Sequence, residues 1–120
     1  MAYTTINKST DHFNTVTYTG NGSTQSITGV GFQPDWTWIK NRTDGSTSHY
    51  LTDAVRGAGK SLRSNSTNAE ATETNQLTAF DSDGFSIGNW GDGNGSGKNI
   101  VAWNWKANGA GSTNNDGNVT

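Results

Sequence analysis

Two stretches decide the fold predicted for this chain: DWTWIKN, residues 35–41, and IVAWNWK, residues 100–106. In both, aromatic and β-branched residues alternate with other residues, and this period of two is typical of β-strands. Each stretch carries two tryptophans at a spacing of two, so both rings of one strand lie on the same face. We expect these rings in the core, because a chain with few leucines needs aromatic volume. They are Trp36, Trp38, Trp103 and Trp105.

Shorter strand-like runs, bounded by Gly, Asn and Asp, fill the sequence between and around these two stretches. Asn21-Gly22 predicts a tight hairpin, and Asp83-Gly84 predicts another, because these dipeptides supply positive φ angles. The pattern predicts an all-β protein, a jelly-roll-like antiparallel β-sandwich of about eight short strands. The further predicted strands cover residues 13–19, 23–28, 48–52, 60–63, 76–80 and 85–88.

Composition sets the domain organisation and excludes several classes of protein. Gly, Ser, Thr and Asn make about half of the 120 residues, the net charge is −2, and cysteine is absent. We predict a polar N-terminal arm over 1–12, one β-sandwich domain over 13–106, and a Gly/Asn-rich arm or linker over 107–120. The scattered basic residues argue against nucleic-acid binding, and no apolar run is long enough to insert into a membrane. The polar start of the chain predicts no signal peptide.

A loop rich in Gly, Asn and Asp surrounds the fifth tryptophan, Trp90, and no strand pattern around this residue predicts its burial. Aromatic rings beside amide and carboxylate groups are typical of carbohydrate sites, because a sugar ring has an apolar face and many hydroxyls. Trp90, Asp92, Asn94 and Asn99 are therefore the candidate glycan ligands. The alternative is that Trp90 packs at the rim of the sandwich.

The same loop resembles the first half of a calcium-binding loop, with oxygen-bearing side chains at Asp92, Asn94 and Ser96. Trp103 stands at the position where such loops place a bidentate acid. We expect no cofactor, although the sequence leaves open a calcium site completed by a distant aspartate. The alternative is a plain Gly-Asn loop.

The sequence matches known catalytic motifs only incompletely. The segment RGAGKS, residues 56–61, lacks the first glycine of a phosphate-binding loop and a βαβ context. His12 and His49 are too few to bind zinc without carboxylates. We predict a protein that is not an enzyme, and a hydrolase would have to rely on aspartates such as Asp81, Asp83 and Asp92.

Four segments resemble a domain that recurs in structural proteins of tailed bacteriophages, which is itself similar to the concanavalin A-like lectin and glucanase sandwich. The similarity extends over residues 13–109, in the same order, and it implies no catalytic residues. The segments are GFQPDWTWIKNR (31–42), HYLTDAVRGAGKSLRSNSTNAE (49–70), LTAFDSDGFSIG (77–88) and IVAWNWKANG (100–109).

This resemblance implies a non-enzymatic virion protein, a tail-fibre-associated or capsid-decorating module that adheres to host surface glycans. Its expected partners are other virion proteins, copies of itself and host polysaccharide, and its expected location is the virion. The alternative is a lectin-like carbohydrate-binding module that uses Trp90 and the loop from Asp92 to Asn99. Residues 107–120 are either the end of a short version of this domain or an arm that adds a strand to the open edge of a neighbouring subunit.

Overall fold

The computed structural model describes residues 7–107, which fold into nine strands, a short helix and one 3-10 turn. Of the predicted arms, residues 1–6 and 108–120 lie outside this range, while Ser9–Asp11 of the N-terminal arm form the 3-10 turn. No helix in the described range is long and apolar enough to cross a membrane. The elements are the 3-10 turn Ser9–Asp11, β1 (Phe13–Thr19), β2 (Gln25–Ile27), β3 (Trp36–Asn41), β4 (His49–Asp53), β5 (Lys60–Arg63), β6 (Ala71–Thr72), β7 (Leu77–Asp81), β8 (Gly84–Ile87), α1 (Gly91–Asn94) and β9 (Asn99–Trp105).

The strands form two antiparallel sheets that pack face to face as a β-sandwich. The large sheet has the strand order β1-β9-β3-β4-β5-β6, and the small sheet has the order β2-β8-β7. The last described strand, β9, lies between β1 and β3, so the stretches 35–41 and 100–106 are hydrogen-bonded neighbours. The predicted all-β sandwich is confirmed. The described residues contain nine strands and not about eight, since β6 lies in a segment that was predicted as a loop.

One predicted hairpin is wrong. Residues 13–19 form β1 as predicted, but β1 pairs with β9, while β2 pairs with β8 in the other sheet. The Asn21-Gly22 turn is bonded to the segment between α1 and β9. The N–H groups of Gly20 and Gly22 donate to the carbonyls of Lys98 and Asn94, respectively. These bonds direct the chain across the sandwich. The Asp83-Gly84 prediction is confirmed, since β7 and β8 form that hairpin.

The core lies between the sheets and is small, as the composition predicts. The inward residues of β3 alternate with outward ones, so Thr37, Ile39 and Asn41 are buried. Hydrogen bonds satisfy part of this interior, since the Thr37 hydroxyl donates to Asn104 Oδ1 at 3.1 Å. The apolar core comprises Ile27, Ile39, Tyr50, Leu77, Phe85, Ile87, Trp90, Ile100 and Ala102.

Candidate functional site: the tryptophan face

The outer surface of the large sheet carries a continuous cluster of aromatic side chains. We call this cluster the tryptophan face, and it comprises Phe13, Trp36, Trp38, His49, Trp103 and Trp105. The expectation that the four strand tryptophans lie in the core is therefore wrong. The residues next to them on β3 and β9, such as Ile39 and Ala102, point inward and are buried, which leaves the rings on the outer side.

Strand register places the rings of the tryptophan face in rows across the sheet. In one row, Trp105 is opposite Phe13 on one side and Trp36 on the other. The ring centroids of Trp105 lie 4.9 Å from Phe13 and 4.4 Å from Trp36. In the next row, Trp103 is opposite Trp38, with their centroids 5.9 Å apart and their planes at 66°. The two rows are also close to each other, since the ring centroids of Trp36 and Trp38 lie 6.4 Å apart.

A groove of about 240 Å³ opens on this face between Trp38, His49, Trp103 and Trp105. None of these four residues bears a carboxylate or a permanent positive charge. Ligand pockets for drug-sized molecules usually occupy ~300–1,000 Å³. The groove is therefore large enough for one small, neutral, flat group. The neighbouring rings of the tryptophan face would contact the rest of the ligand.

Polar groups lie beside the residues that line the groove. The hydroxyl-bearing Thr15 is opposite Trp103 and exposed, and Lys40 lies beside His49 with its ammonium donating to Thr47. Trp38 Nε1 and His49 Nδ1 are buried and have no hydrogen-bond partner among the described residues. An unpaired buried polar atom costs roughly 1–3 kcal/mol.

Trp90, which the sequence places in a ligand-binding loop, is buried instead. Only 6% of its surface is exposed, and it meets the Tyr50 ring edge-on with centroids 4.7 Å apart. Gly93 packs against the indole, where a Cβ atom would lie 2.1 Å from the ring. The ring has no free face for a sugar, and the alternative that Trp90 packs at the sandwich rim agrees with this placement.

Asn94 is also buried, and its amide is used for structure. Its Oδ1 accepts hydrogen bonds from the Asn21 N–H at 3.1 Å and from Gln25 Nε2 at 2.6 Å. Its Nδ2 donates to the carbonyls of Ser23 and Gly88, the latter at 2.8 Å. Asn94 thus joins α1 to the loop before β2. The other predicted loop ligands, Ser96 and Asn99, are exposed and lie outside this network.

Asp92 is half-buried and accepts a hydrogen bond from the Tyr50 hydroxyl. The remaining aspartates proposed for hydrolysis are likewise engaged. Asp81 accepts from the Ser86 hydroxyl at 2.7 Å, and Asp83 accepts from the N–H groups of Gly29 and Gly31. Within residues 7–107 no three His, Cys, Asp or Glu side chains are grouped to hold a metal ion. Asp81, Asp83 and Asp92 thus each accept a hydrogen bond within the fold, and of the calcium candidates Asn94 is buried and Ser96 is exposed.

The Tyr50–Asp92 pair predicts that the protein loses stability in alkali. Burial, and then the hydrogen bond with Asp92, raises the pKa of the Tyr50 phenol from 10.0 to about 12. A pKa raised by folding gives stability that is complete below pH 10 and is lost as the pH rises from about 10 to about 12. We expect the free energy of unfolding, measured with urea at a series of pH values, to fall across this window.

The control for this prediction is Tyr50→Phe. The variant should show a shallower decline over the same window, but not a flat one, because burial also raises the pKa of Tyr18. Identical alkaline slopes in the two proteins would contradict the role assigned to Tyr50.

Sequence reasoning missed the tryptophan face, although it carried the signal. The alternation in residues 35–41 puts Trp36, Trp38 and Lys40 on one side. A charged residue sharing a side with the rings indicates that this side faces water. Thr37 and Ile39 then form the inner side, as they do in the structure.

Comparison with known proteins gives one family and no characterised relative. Residues 8–120 match the family described as "Domain of unknown function (DUF7483)". No curated protein and no solved structure matches the chain. Since the family match covers nearly the whole sequence, the chain belongs to the DUF7483 family, a domain of unknown function.

Proposed function

We propose that this chain is a non-enzymatic carbohydrate-binding module of a bacteriophage particle, and that the tryptophan face is its binding surface. The observation that carries the proposal is the group of four partly exposed tryptophans on the outside of a sheet. Solvated sheet faces normally carry polar residues. Exposing aromatic rings to water on such a face is unfavourable, so a cluster of rings there indicates a binding surface.

Carbohydrate is the ligand class that best fits the chemistry of the face. The face of an aromatic ring is electron-rich, and the C–H groups on the apolar side of a sugar ring carry slight positive charge, so the two stack. The groove between Trp38 and Trp103 accepts a flat neutral group, and Thr15 offers a hydroxyl at its side. A neutral or weakly charged polysaccharide meets these conditions.

Binding without catalysis fits the same surface. Glycoside hydrolysis usually needs two carboxylates on either side of the scissile bond. On the outer face of β4, Asp53 lies opposite Trp36 and is bound to the Arg56 guanidinium at 2.5 Å. Burial alone would raise the pKa of Asp53, but the hydrogen bonds from Arg56 outweigh it and lower this pKa. Asp53 is thus held as a carboxylate, unsuited to donate a proton.

The virion setting rests on the resemblance of the sequence to structural proteins of tailed phages. A module that binds host polysaccharide would contribute to attachment of the particle. The Trp90 loop is not part of this proposal, because the Trp90 ring and the Asn94 amide are buried.

The test has two parts, which check the ligand and the setting separately. Immobilised surface polysaccharides from bacteria are expected to retain the purified protein, and Trp38→Ala is expected to abolish retention without loss of the folded state. Antibodies against the protein are expected to label purified phage particles by electron microscopy. Absence of retention on every polysaccharide would refute carbohydrate binding, and unlabelled particles would refute the virion setting.

A further inference from the structure

We infer that β1 is an interaction surface for a second copy of this chain, which pairs its own β1 antiparallel across a two-fold axis. The inference concerns the edge of the large sheet and is independent of what the tryptophan face binds. Among residues 7–107, β1 pairs with β9 alone and is the end strand of the large sheet. Its other side presents main-chain groups that can pair with another strand.

The hydrogen bonds at both ends of β1 show which residues point outward. His12 accepts from Lys106, and Gly20 donates to Lys98, so even-numbered residues face β9. The N–H of Thr15 is turned away and is bonded to the side chain of Asn14. Because the direction alternates along a strand, Phe13, Thr15 and Thr17 direct their C=O groups to the free edge, where the Thr19 carbonyl accepts a hydrogen bond from Gln25 Nε2 at 3.2 Å.

The sequence of this edge, FNTVTYT, contains no charged residue and no proline. Proteins commonly protect edge strands with lysine, proline, bulges or very short length. Here the other edges show such devices. β6 has only two residues and lies between Glu70 and Glu73, β2 has three residues, and β7 has an irregular register. The seven-residue β1 is the unprotected edge among the described strands.

The edge is also self-complementary, which favours a second copy as the occupant. With the two-fold axis at Val16, Thr15 meets Thr17 of the second copy, and Phe13 meets Thr19. Threonine pairs on neighbouring strands are favourable, whereas like charges would repel, and this edge has none. The Phe13 ring, 37% exposed, gains a neighbour in this arrangement.

The pairing has a consequence for the proposed function. A two-fold axis perpendicular to the sheet leaves both tryptophan faces on the same side of one continuous sheet. Each groove lies between β9 and β3, so the two grooves are separated by four strand spacings, or roughly 19 Å. Two sites on one side allow bivalent attachment to a polymer, which increases the apparent affinity.

The experiment is sedimentation velocity on the full chain over a series of concentrations, which does not depend on any ligand. The wild-type protein is expected to sediment with twice the mass of the chain. Thr17→Pro removes an outward N–H without breaking a bond to β9, and Thr17→Lys brings two positive charges together across the axis. Both variants are expected to sediment as monomers.

Thr67→Lys adds the same charge in an exposed loop and is expected to remain a dimer. Circular dichroism shows whether each variant is folded, and Thr17→Lys decides the outcome if Thr17→Pro does not fold. A wild-type monomer at every concentration, or a dimer that persists in folded Thr17→Lys, would overturn the inference. Carbohydrate binding by a monomer would leave the proposed function standing, so the two failures are distinguishable.

Discussion

Trp103→Ala is expected to weaken carbohydrate binding about tenfold or more while the protein stays folded. Trp103 forms one wall of the groove and packs edge-on against Trp38. Stacking on an exposed aromatic ring contributes roughly 1–3 kcal/mol when the ligand is a flat nucleic-acid base, and a sugar face uses the ring in the same way. A loss of about 1.4 kcal/mol corresponds to a tenfold rise in Kd. Isothermal titration calorimetry with a retained polysaccharide fragment measures the effect.

A matched variant distinguishes a direct effect of Trp103→Ala on binding from an effect on the stability of the fold. Phe80 is a partly buried aromatic residue that packs against the core, so Phe80→Ala also removes a ring and destabilises the fold. It is expected to leave Kd unchanged at temperatures where it is folded. If Phe80→Ala weakened binding as much as Trp103→Ala, the loss would report on stability, and the assigned role of the tryptophan face would be wrong.

Asn94→Ala is expected to destabilise the protein by about 3 kcal/mol, the upper end of the range for most single substitutions, because it breaks a buried hydrogen-bond network. The substitution leaves several groups without their partner, including the Asn21 N–H, the Gln25 amide and the Gly88 carbonyl. Leaving the buried Gly88 carbonyl unsatisfied costs roughly 1–3 kcal/mol, and the half-buried Gln25 and exposed Asn21 add less because water reaches them. Urea denaturation followed by tryptophan fluorescence measures the change in the free energy of unfolding.

Asn99→Ala is the control for this prediction, because Asn99 is an exposed asparagine a few residues further along the chain. Exposed substitutions usually change stability by no more than about 0.5 kcal/mol. Asn94→Asp is a second comparison, since it keeps an acceptor oxygen but loses the donor to Gly88 and places a charge in the interior. Equal stability of Asn94→Ala and Asn99→Ala would show that the Asn94 network is not a major source of stability.

Local patterns predicted the strands of this domain well, because alternation and Asp-Gly turns act over a few residues. β1 and β5 have the predicted boundaries, and the β7–β8 hairpin lies where Asp83-Gly84 indicates. Pairing between distant segments was not predictable in this way. The Asn21-Gly22 turn favours a local hairpin, but its main-chain groups bond to residues near α1, over seventy positions away.

The candidate site was misplaced because burial depends on what packs against each face of a strand. Local composition around Trp90 is typical of a surface loop, yet the loop folds inward and Tyr50 and Gly93 cover the ring. Trp36 and Trp38 lie in a strand rich in apolar residues, but only the opposite face of that strand meets the small sheet. The charged Lys40 beside them was the available signal of the outer side.

Two-dimensional NMR of the indole N–H groups tests the central claim most directly, because the chain has five tryptophans and each gives its own signal. On titration with a retained polysaccharide fragment, the signals of the groove residues Trp38, Trp103 and Trp105 are expected to shift, while that of buried Trp90 stays in place. A shift of Trp90 with unmoved groove signals would contradict the account and restore the loop as the binding site.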